Sequence, residues 1–153
     1  MKARDAMTRE VSTVSPDTTV AEAALLMLST RHGTLPVVDS GGRLLGVVSK
    51  ATLVRRLLPE YLEQVGDLYR SGEFEPFREN VETVGMLPVK DVLEAGLPTV
   101  TEETPLAEVA ALMITRHVRQ VPVVREGVLV GIVGMMDIIG QIAWPTPEDN
   151  PDG

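Results

Sequence analysis

The chain of 153 residues carries 14 basic and 22 acidic side chains, a net charge of −8, with 44% hydrophobic residues and no cysteine. That length accommodates one domain or two small subdomains around a shared core. The charge disfavours binding to nucleic-acid phosphates or anionic membranes, and the lack of cysteine excludes disulfides and thiolate chemistry while suiting a reducing, cytoplasmic compartment.

In chain order, "MKARDAMTRE" has charges but no apolar centre, so no secretory leader is expected. The richest apolar run, Ala21 to Leu28, is interrupted by Glu22 and falls short of the roughly 20 residues a membrane span needs. A short β-type run at 11–14 precedes a predicted helix at 19–31. "LPVVD" and "RLLGVVS" predict a hairpin through Ser40-Gly41-Gly42, followed by a second helix from about Ala51. The same order returns with a run at 98–101, a helix at 105–117, "VPVVR" and "VLVGIVG" joined through Glu126-Gly127, and a helix from about Met136.

This is an internal repeat. A shift of 86 residues superposes Asp5 on Asp91, Thr13-Val14 on Thr99-Val100, Ala21-Glu22 on Ala107-Glu108, Leu26-Met27 on Leu112-Met113, and Pro36-Val37-Val38 on Pro122-Val123-Val124. One deletion after Gly41 makes the shift 85 and brings Leu44, Gly46 and Val48 onto Leu129, Gly131 and Val133. Thr104 before Pro105 predicts an N-cap followed by proline at the first helical position. Thr19 with Glu22 also fits a capping box, but Pro105 stands in the place of Thr19, so the shared cap is expected at Thr18 and Thr104.

The first helix has a stripe of Val20, Ala23, Ala24 and Met27, yet Ala21, Leu25 and Leu28 cover much of its remaining surface. A helix apolar most of the way round needs cover on two sides. One is its own sheet, and the other is expected to be a second copy of the chain in a homodimer. Between the repeats, 58–87 holds Tyr61, Tyr69, Phe74 and Phe77 with seven acids against two bases. It reads as one or two amphipathic helices broken at Ser71-Gly72, either pinned to the body or docking a partner. The domains are therefore a first repeat at 1–57, the helical insertion at 58–87, a second repeat at 88–143, and an acidic, proline-rich tail at 144–153 expected to be disordered.

The duplicated β-α-β-β-α pattern, with "T-V", an apolar residue before "P-V-V", and "G-h-h-S/T-x-x-D" (h, apolar), resembles a tandem pair of cystathionine-β-synthase (CBS) domains over about residues 3–57 and 88–142. The resemblance implies an α+β fold of two repeats packed through their sheets with pseudo-two-fold symmetry. It also implies a stand-alone, energy-sensing regulator of another protein that needs no cofactor and binds an adenosine-containing ligand (AMP, ADP, ATP or S-adenosylmethionine) in the cleft between repeats. In such a site the final aspartate grips the ribose diol. The hydroxyl three residues earlier and the helix N-terminus suit ligand oxygens, and the strand motifs line an apolar slot for the purine.

Each copy keeps half of the last motif. The first has Ser49 with Thr52 in place of the acid; the second has Asp137 with Gly134 in place of the hydroxyl. The preferred ligand site is therefore Thr99, Val100, Arg119, Val121, Pro122 and Asp137, with Arg119 toward phosphate. The weaker site is Thr13, Val14, Leu35, Pro36, Ser49 and Thr52. Scarce bases near the preferred site favour a ligand of low negative charge. Ser49 also fits a plain helix cap, Asp137 a first-turn acid facing the helix dipole, and Arg119 a solvated charge.

The alternatives to a nucleotide sensor are a homodimeric interaction or scaffold module with vestigial sites, and a binder of NAD, another dinucleotide or a divalent ion held through phosphate. Ser49 lacks a Gly-x-Ser-x-Gly elbow and "GGRLLGVVSK" lacks the Gly-Lys-Ser/Thr of a phosphate loop, so no enzyme is expected. His32 and His117 are the only histidines, and no metal site is expected.

Overall fold

The computed structural model describes residues 1–57 and 75–145. The continuous apolar triplets at the centres of the hairpins set the architecture. Leu35-Pro36-Val37 and Val121-Pro122-Val123 are buried throughout, as strands covered on both faces require. The element order is α1 (Ala3–Ala6), α2 (Val20–Thr30), β1 (Thr34–Val38), β2 (Leu44–Ser49), α3 (Lys50–Leu57), α4 (Glu75–Met86), a 3₁₀ turn (Val89–Asp91), α5 (Leu106–Thr115), β3 (Gln120–Arg125), β4 (Val128–Gly134) and α6 (Met135–Ala143). The fold is α+β, as the resemblance implied.

β1 pairs with β2, and β3 with β4. The second pair is antiparallel, with Gln120 opposite Gly134 and Pro122 opposite Ile132, and its register shifts between Val123 and Val124. Glu126 and Gly127 have φ of 52° and 82°. Two successive residues at positive φ characterise the tight turn whose twist matches a two-residue hairpin.

The chain divides into two compact units that do not follow chain order. One comprises Met1–Ser12, Gly41–Leu44 and the chain from Gly96 onward; the other comprises Thr13–Ser40 and Leu45–Ala95. The core of the first contains Ala3, Met7, Val109, Met113, Val121 and Val133. That of the second contains Val20, Ala23, Leu35, Val37, Val48 and Val89. The segment before Thr13 thus packs with the second repeat, and the equivalent segment before Gly96 packs with the first.

The backbone bonds that seat these segments correspond one for one. Ala3 N–H donates to Thr104 O at 2.8 Å, as Val89 N–H does to Thr18 O at 2.8 Å. Leu106 N–H donates to Met1 O, and Val20 N–H to Leu87 O. Thr8 and Ile132 exchange both bonds at 2.9 and 3.0 Å, and so do Glu94 and Val47. The opposite edge of each hairpin is met in parallel by Val14 beside Val37 and by Val100 beside Val123. At the N-terminal segment, Lys2 and Arg4 both pair with Glu103. The hydrogen bond from Lys2, together with both cations, holds the Glu103 carboxyl below its ordinary range.

Several sequence expectations change in detail. The runs at 11–14 and 98–101 contribute only the bridging residues Val14 and Val100 rather than strands. Thr18 and Thr104 are not the helix caps. Thr19 is the N-cap of α2, where its hydroxyl accepts Glu22 N–H at 3.2 Å, and Pro105 occupies the cap of α5. The shared role of Thr18 and Thr104 lies one turn earlier, where their hydroxyls accept the N–H groups of Ser15 and Thr101, each at 3.1 Å. α1 is too short to leave a periodic signal. Within the predicted insertion, α4 is a helix, with Val84 in the core. Tyr61, Tyr69, Phe74, the Ser71-Gly72 break and the tail from 146 lie outside the described residues.

The glycines at matched positions 46 and 131 show how closely the seated segments approach. A Cβ on Gly46 would lie 2.5 Å from Glu94 O and 2.6 Å from Leu93 Cδ1. On Gly131 the nearest atoms would be Met7 Sδ at 2.7 Å and Met7 Cγ and Thr8 O at 3.0 Å. A methionine side chain can move aside more readily than a paired carbonyl. Gly46→Ala is expected to destabilise the protein by about 2–3 kcal/mol and Gly131→Ala by about 1 kcal/mol, measured by urea unfolding.

Candidate functional site

The two strand-to-helix corners, where β2 enters α3 and β4 enters α6, carry the residues singled out from sequence. Each lies within one of the compact units. Their backbones match: Lys50 N–H donates to Gly33 O at 2.9 Å, and Met135 N–H to Arg119 O at 3.2 Å. Their side-chain chemistry differs.

At the first corner, Ser49 Oγ accepts Thr52 N–H at 3.1 Å, which makes it the N-cap of α3. Ser49 Oγ also lies 2.9 Å from Thr52 Oγ1, and the Thr52 hydroxyl donates to Glu94 Oε1. The direction of this chain follows from proton counting. Each hydroxyl has one proton; that of Thr52 goes to the carboxylate, so that of Ser49 goes to Thr52. Both are spent internally. Arg55 Nη1 stands 4.0 Å from the same Glu94 oxygen. Sequence reasoning did not include Glu94. It arrives on the segment paired with Val47, so it reaches the corner through long-range backbone pairing rather than through proximity in sequence.

At the second corner, Asp137 Oδ2 accepts Gly134 N–H at 2.6 Å. This is the backward half of a capping box; Gly134 has no side chain to supply the forward half. The bond fixes the carboxylate at the first turn of α6, with Asp137 half-buried. The amide of Gln120 lies close by: a Cβ on Gly134 would be 3.4 Å from Asp137 Oδ2 and 3.9 Å from Gln120 Nε2. Gln120 Oε1, like Gln141 Oε1 further along α6, is shielded from solvent and has no hydrogen-bond partner among the described residues. A buried acceptor without a donor is uncommon in a folded protein, and a water or a bound group would satisfy it. Sequence reasoning missed Gln120 too, since its counterpart is Thr34 and no motif includes it.

The remaining predicted residues divide by burial. Val14, Leu35, Pro36, Val100, Val121 and Pro122 are buried, packed within their own units. The two motifs of each repeat are bonded together, with Val14 N–H donating to Pro36 O and Val100 N–H to Pro122 O, both at 3.0 Å. Thr13, Thr99 and Arg119 are exposed. Among the described residues no three His, Asp or Glu side chains converge as metal ligands, and no helix is long and apolar enough to cross a membrane.

The duplication shift gives the corners a further order. Position 52 corresponds to 137 and position 8 to 94, so one compact unit carries Thr52 with Glu94 and the other Asp137 with Thr8. The acid and the threonine have traded places. The base is likewise moved, from Lys50 over Gly33 in one copy to Arg119 in the other, with Met135 in the position of Lys50.

Comparison with known proteins gives a consistent pattern. The CBS domain family model matches residues 3–59 and 89–143. The chain is 29% identical over 135 residues to the CBS domain-containing protein YhcV of Bacillus subtilis, covering 88% of this chain and 81% of that protein. It is 32% identical over 137 residues to the uncharacterized protein MJ1404 of Methanocaldococcus jannaschii, covering 90% of this chain but 31% of that protein, so it spans about a third of that relative's length. Among solved structures, CBSX2 in complex with AMP superposes with a TM-score of 0.72 at 26% identity, covering 93% of this chain and 96% of that one.

The first corner yields a stability prediction independent of any ligand. Ser49→Ala removes the α3 cap and leaves Thr52 Oγ1 without its donor; thermal and urea unfolding are expected to show a loss of about 1 kcal/mol.

Proposed function

Because the chain belongs to the CBS domain family and carries two copies of that domain, we propose that it is a regulatory sensor that holds an adenosine-containing ligand at the corner of its second repeat. The observation that carries this reading is the Asp137 carboxylate, oriented by Gly134 N–H through one oxygen near Gln120 Oε1, which has no partner among the described residues. A carboxylate held in this way presents acceptors to a ribose diol, and an exocyclic amine on a purine supplies the donor that Gln120 lacks. Arg119, next to Gln120 in sequence and bonded through its carbonyl to Met135 N–H, suits a single phosphate. AMP or an uncharged adenosyl group is therefore favoured over ATP, and the AMP complex of CBSX2 supports that choice. Regulation requires that the ligand bind one arrangement of the protein better than another, since only differential affinity shifts an equilibrium. No cofactor and no catalytic step enter this reading.

Asp137 caps its helix as well as facing the site, so alanine at 137 would confound lost binding with lost stability. Asparagine retains an acceptor for Gly134 N–H and turns donors toward the diol. Calorimetry with AMP, ADP, ATP, NAD and S-adenosylmethionine is expected to find AMP tightest, at least tenfold weaker in Asp137→Asn and unchanged in Ser49→Ala. Tightest binding of ATP without metal, or of NAD, contradicts the choice of ligand. Binding of none of the five favours an interaction module with vestigial sites.

The regulator is further proposed to be a homodimer. Leu25 and Leu28 on α2 are 67% and 77% exposed, and Ile114, the counterpart of Leu28 on α5, is 68% exposed. Repetition of an uncovered large apolar side chain at the matched position of both repeats is the pattern of a surface that meets another subunit. Light scattering at micromolar concentration is expected to give the mass of two chains for the wild type and one for Leu28→Asp/Ile114→Asp.

A further inference from the structure

The trade of acid and threonine between the corners has a functional consequence. We infer that Glu94 is the specificity-determining residue that closes the first corner, so that the chain takes one adenosyl ligand at the second corner rather than two. This inference rests on the proposed nucleotide reading of the second corner.

Three features carry it. First, Thr52 stands where the second repeat has Asp137, and its hydroxyl is bonded to Glu94 Oε1. Second, the hydroxyl chain from Ser49 through Thr52 ends on that carboxylate, so no hydroxyl proton is left for a ligand oxygen. A ligand entering there must break a hydrogen bond to a charged acceptor, which is stronger than one between neutral groups. Third, Glu94 adds a negative charge at this corner that a phosphate would meet. Among the described residues Arg55 is the cation within 4.0 Å of this oxygen; 69% of its side chain is exposed, and screening leaves it little power to offset that charge.

The second corner lacks this closure. The residue equivalent to Glu94 is Thr8, whose side chain is exposed, and Asp137 is bonded to backbone rather than to a side chain from the seated segment. The segments that carry Thr8 and Glu94 have the same pairing, Thr8 with Ile132 and Glu94 with Val47. The difference between the corners is therefore one of side chains and can be moved by substitution.

The test transplants the second arrangement into the first corner and reads AMP stoichiometry by calorimetry, with folding checked by circular dichroism and thermal unfolding. Wild type is expected to bind one AMP per chain and Asp137→Asn to bind at least tenfold more weakly. Thr52→Asp/Glu94→Thr is expected to bind two AMP per chain, and the same pair combined with Asp137→Asn to bind one. Two AMP per wild-type chain, or no binding by the folded triple variant, overturns the closure by Glu94. If wild type fails to bind while the triple variant does, the second-corner assignment falls, and the closure stands when Thr52→Asp/Asp137→Asn, which keeps Glu94, fails to bind and falls when it binds equally; if neither wild type nor the triple variant binds, both fall. Should the triple variant not fold, Glu94→Thr/Asp137→Asn serves instead. Millimolar AMP is expected to shift the Thr52 amide resonance in that variant and not in Asp137→Asn alone; an unmoved resonance contradicts the closure.

Discussion

Most of what distinguishes this protein follows from one steric allowance: glycine at 46 and at 131 lets a backbone lie against the second strand of each hairpin. A side chain at either position would overlap the seated segment, and at Gly46 the overlap is with a carbonyl engaged in pairing. With the allowance, Glu94 pairs with Val47 and Thr8 with Ile132. The segment before each repeat can then dock in the other repeat's unit, adding Ala3 and Met7 to one core and Val89 and Val92 to the other. The same pairing delivers residues 94 and 8 to the units that contain the corners. Backbone pairing thus decides which side chains can reach the chemistry.

Duplication preserved that backbone and released the side chains. The matched hydrogen bonds around Thr18 and Thr104, Val14 and Val100, and Gly33 and Arg119 do not depend on side-chain identity beyond a threonine in the first pair. The corners could therefore diverge without disturbing the fold. One spent its hydroxyls on an internal carboxylate; the other kept a carboxylate oriented by a single backbone donor. A buried acceptor without a partner at the second corner and a satisfied relay at the first are opposite electrostatic outcomes of one ancestral geometry. On the proposed reading the two corners differ in what they accept, and that difference gives a regulator a single, defined occupancy.

The repeat, the hairpins and the long helices were legible in the sequence because each has a local signal: apolar triplets for covered strands, Gly-containing turns, and apolar periodicity in α2 and α5. The CBS resemblance rested on those signals and is supported by the family match over both repeats. What was not legible lies in competition between close alternatives or in contacts across the chain. Thr18 and Thr19 both suit a cap, and only the geometry shows Thr19 on the helix and Thr18 closing the preceding turn. Glu94 is 42 residues from Thr52 and belongs to no motif, so proximity in sequence could not join them. A signal was nonetheless present, since the 86-residue shift sets Thr8 against Glu94 just as the 85-residue shift sets Asp137 against Thr52. Two mismatches of opposite sense, read together, describe a trade. Gln120 left no such trace, because an unpartnered acceptor is a property of packing.

On the proposed reading the duplicated corners are unequal, with the acid of the second available to a ligand and that of the first engaged internally. Amide resonances report each corner separately, so the most direct measurement is a two-dimensional NMR titration of the wild-type chain with AMP. Saturable shifts at Gly134, Asp137 and Gln120, with Ser49, Thr52 and Glu94 unmoved over the same range, are the result this account predicts. Equal shifts at both corners, or shifts confined to Ser49 and Thr52, would contradict it.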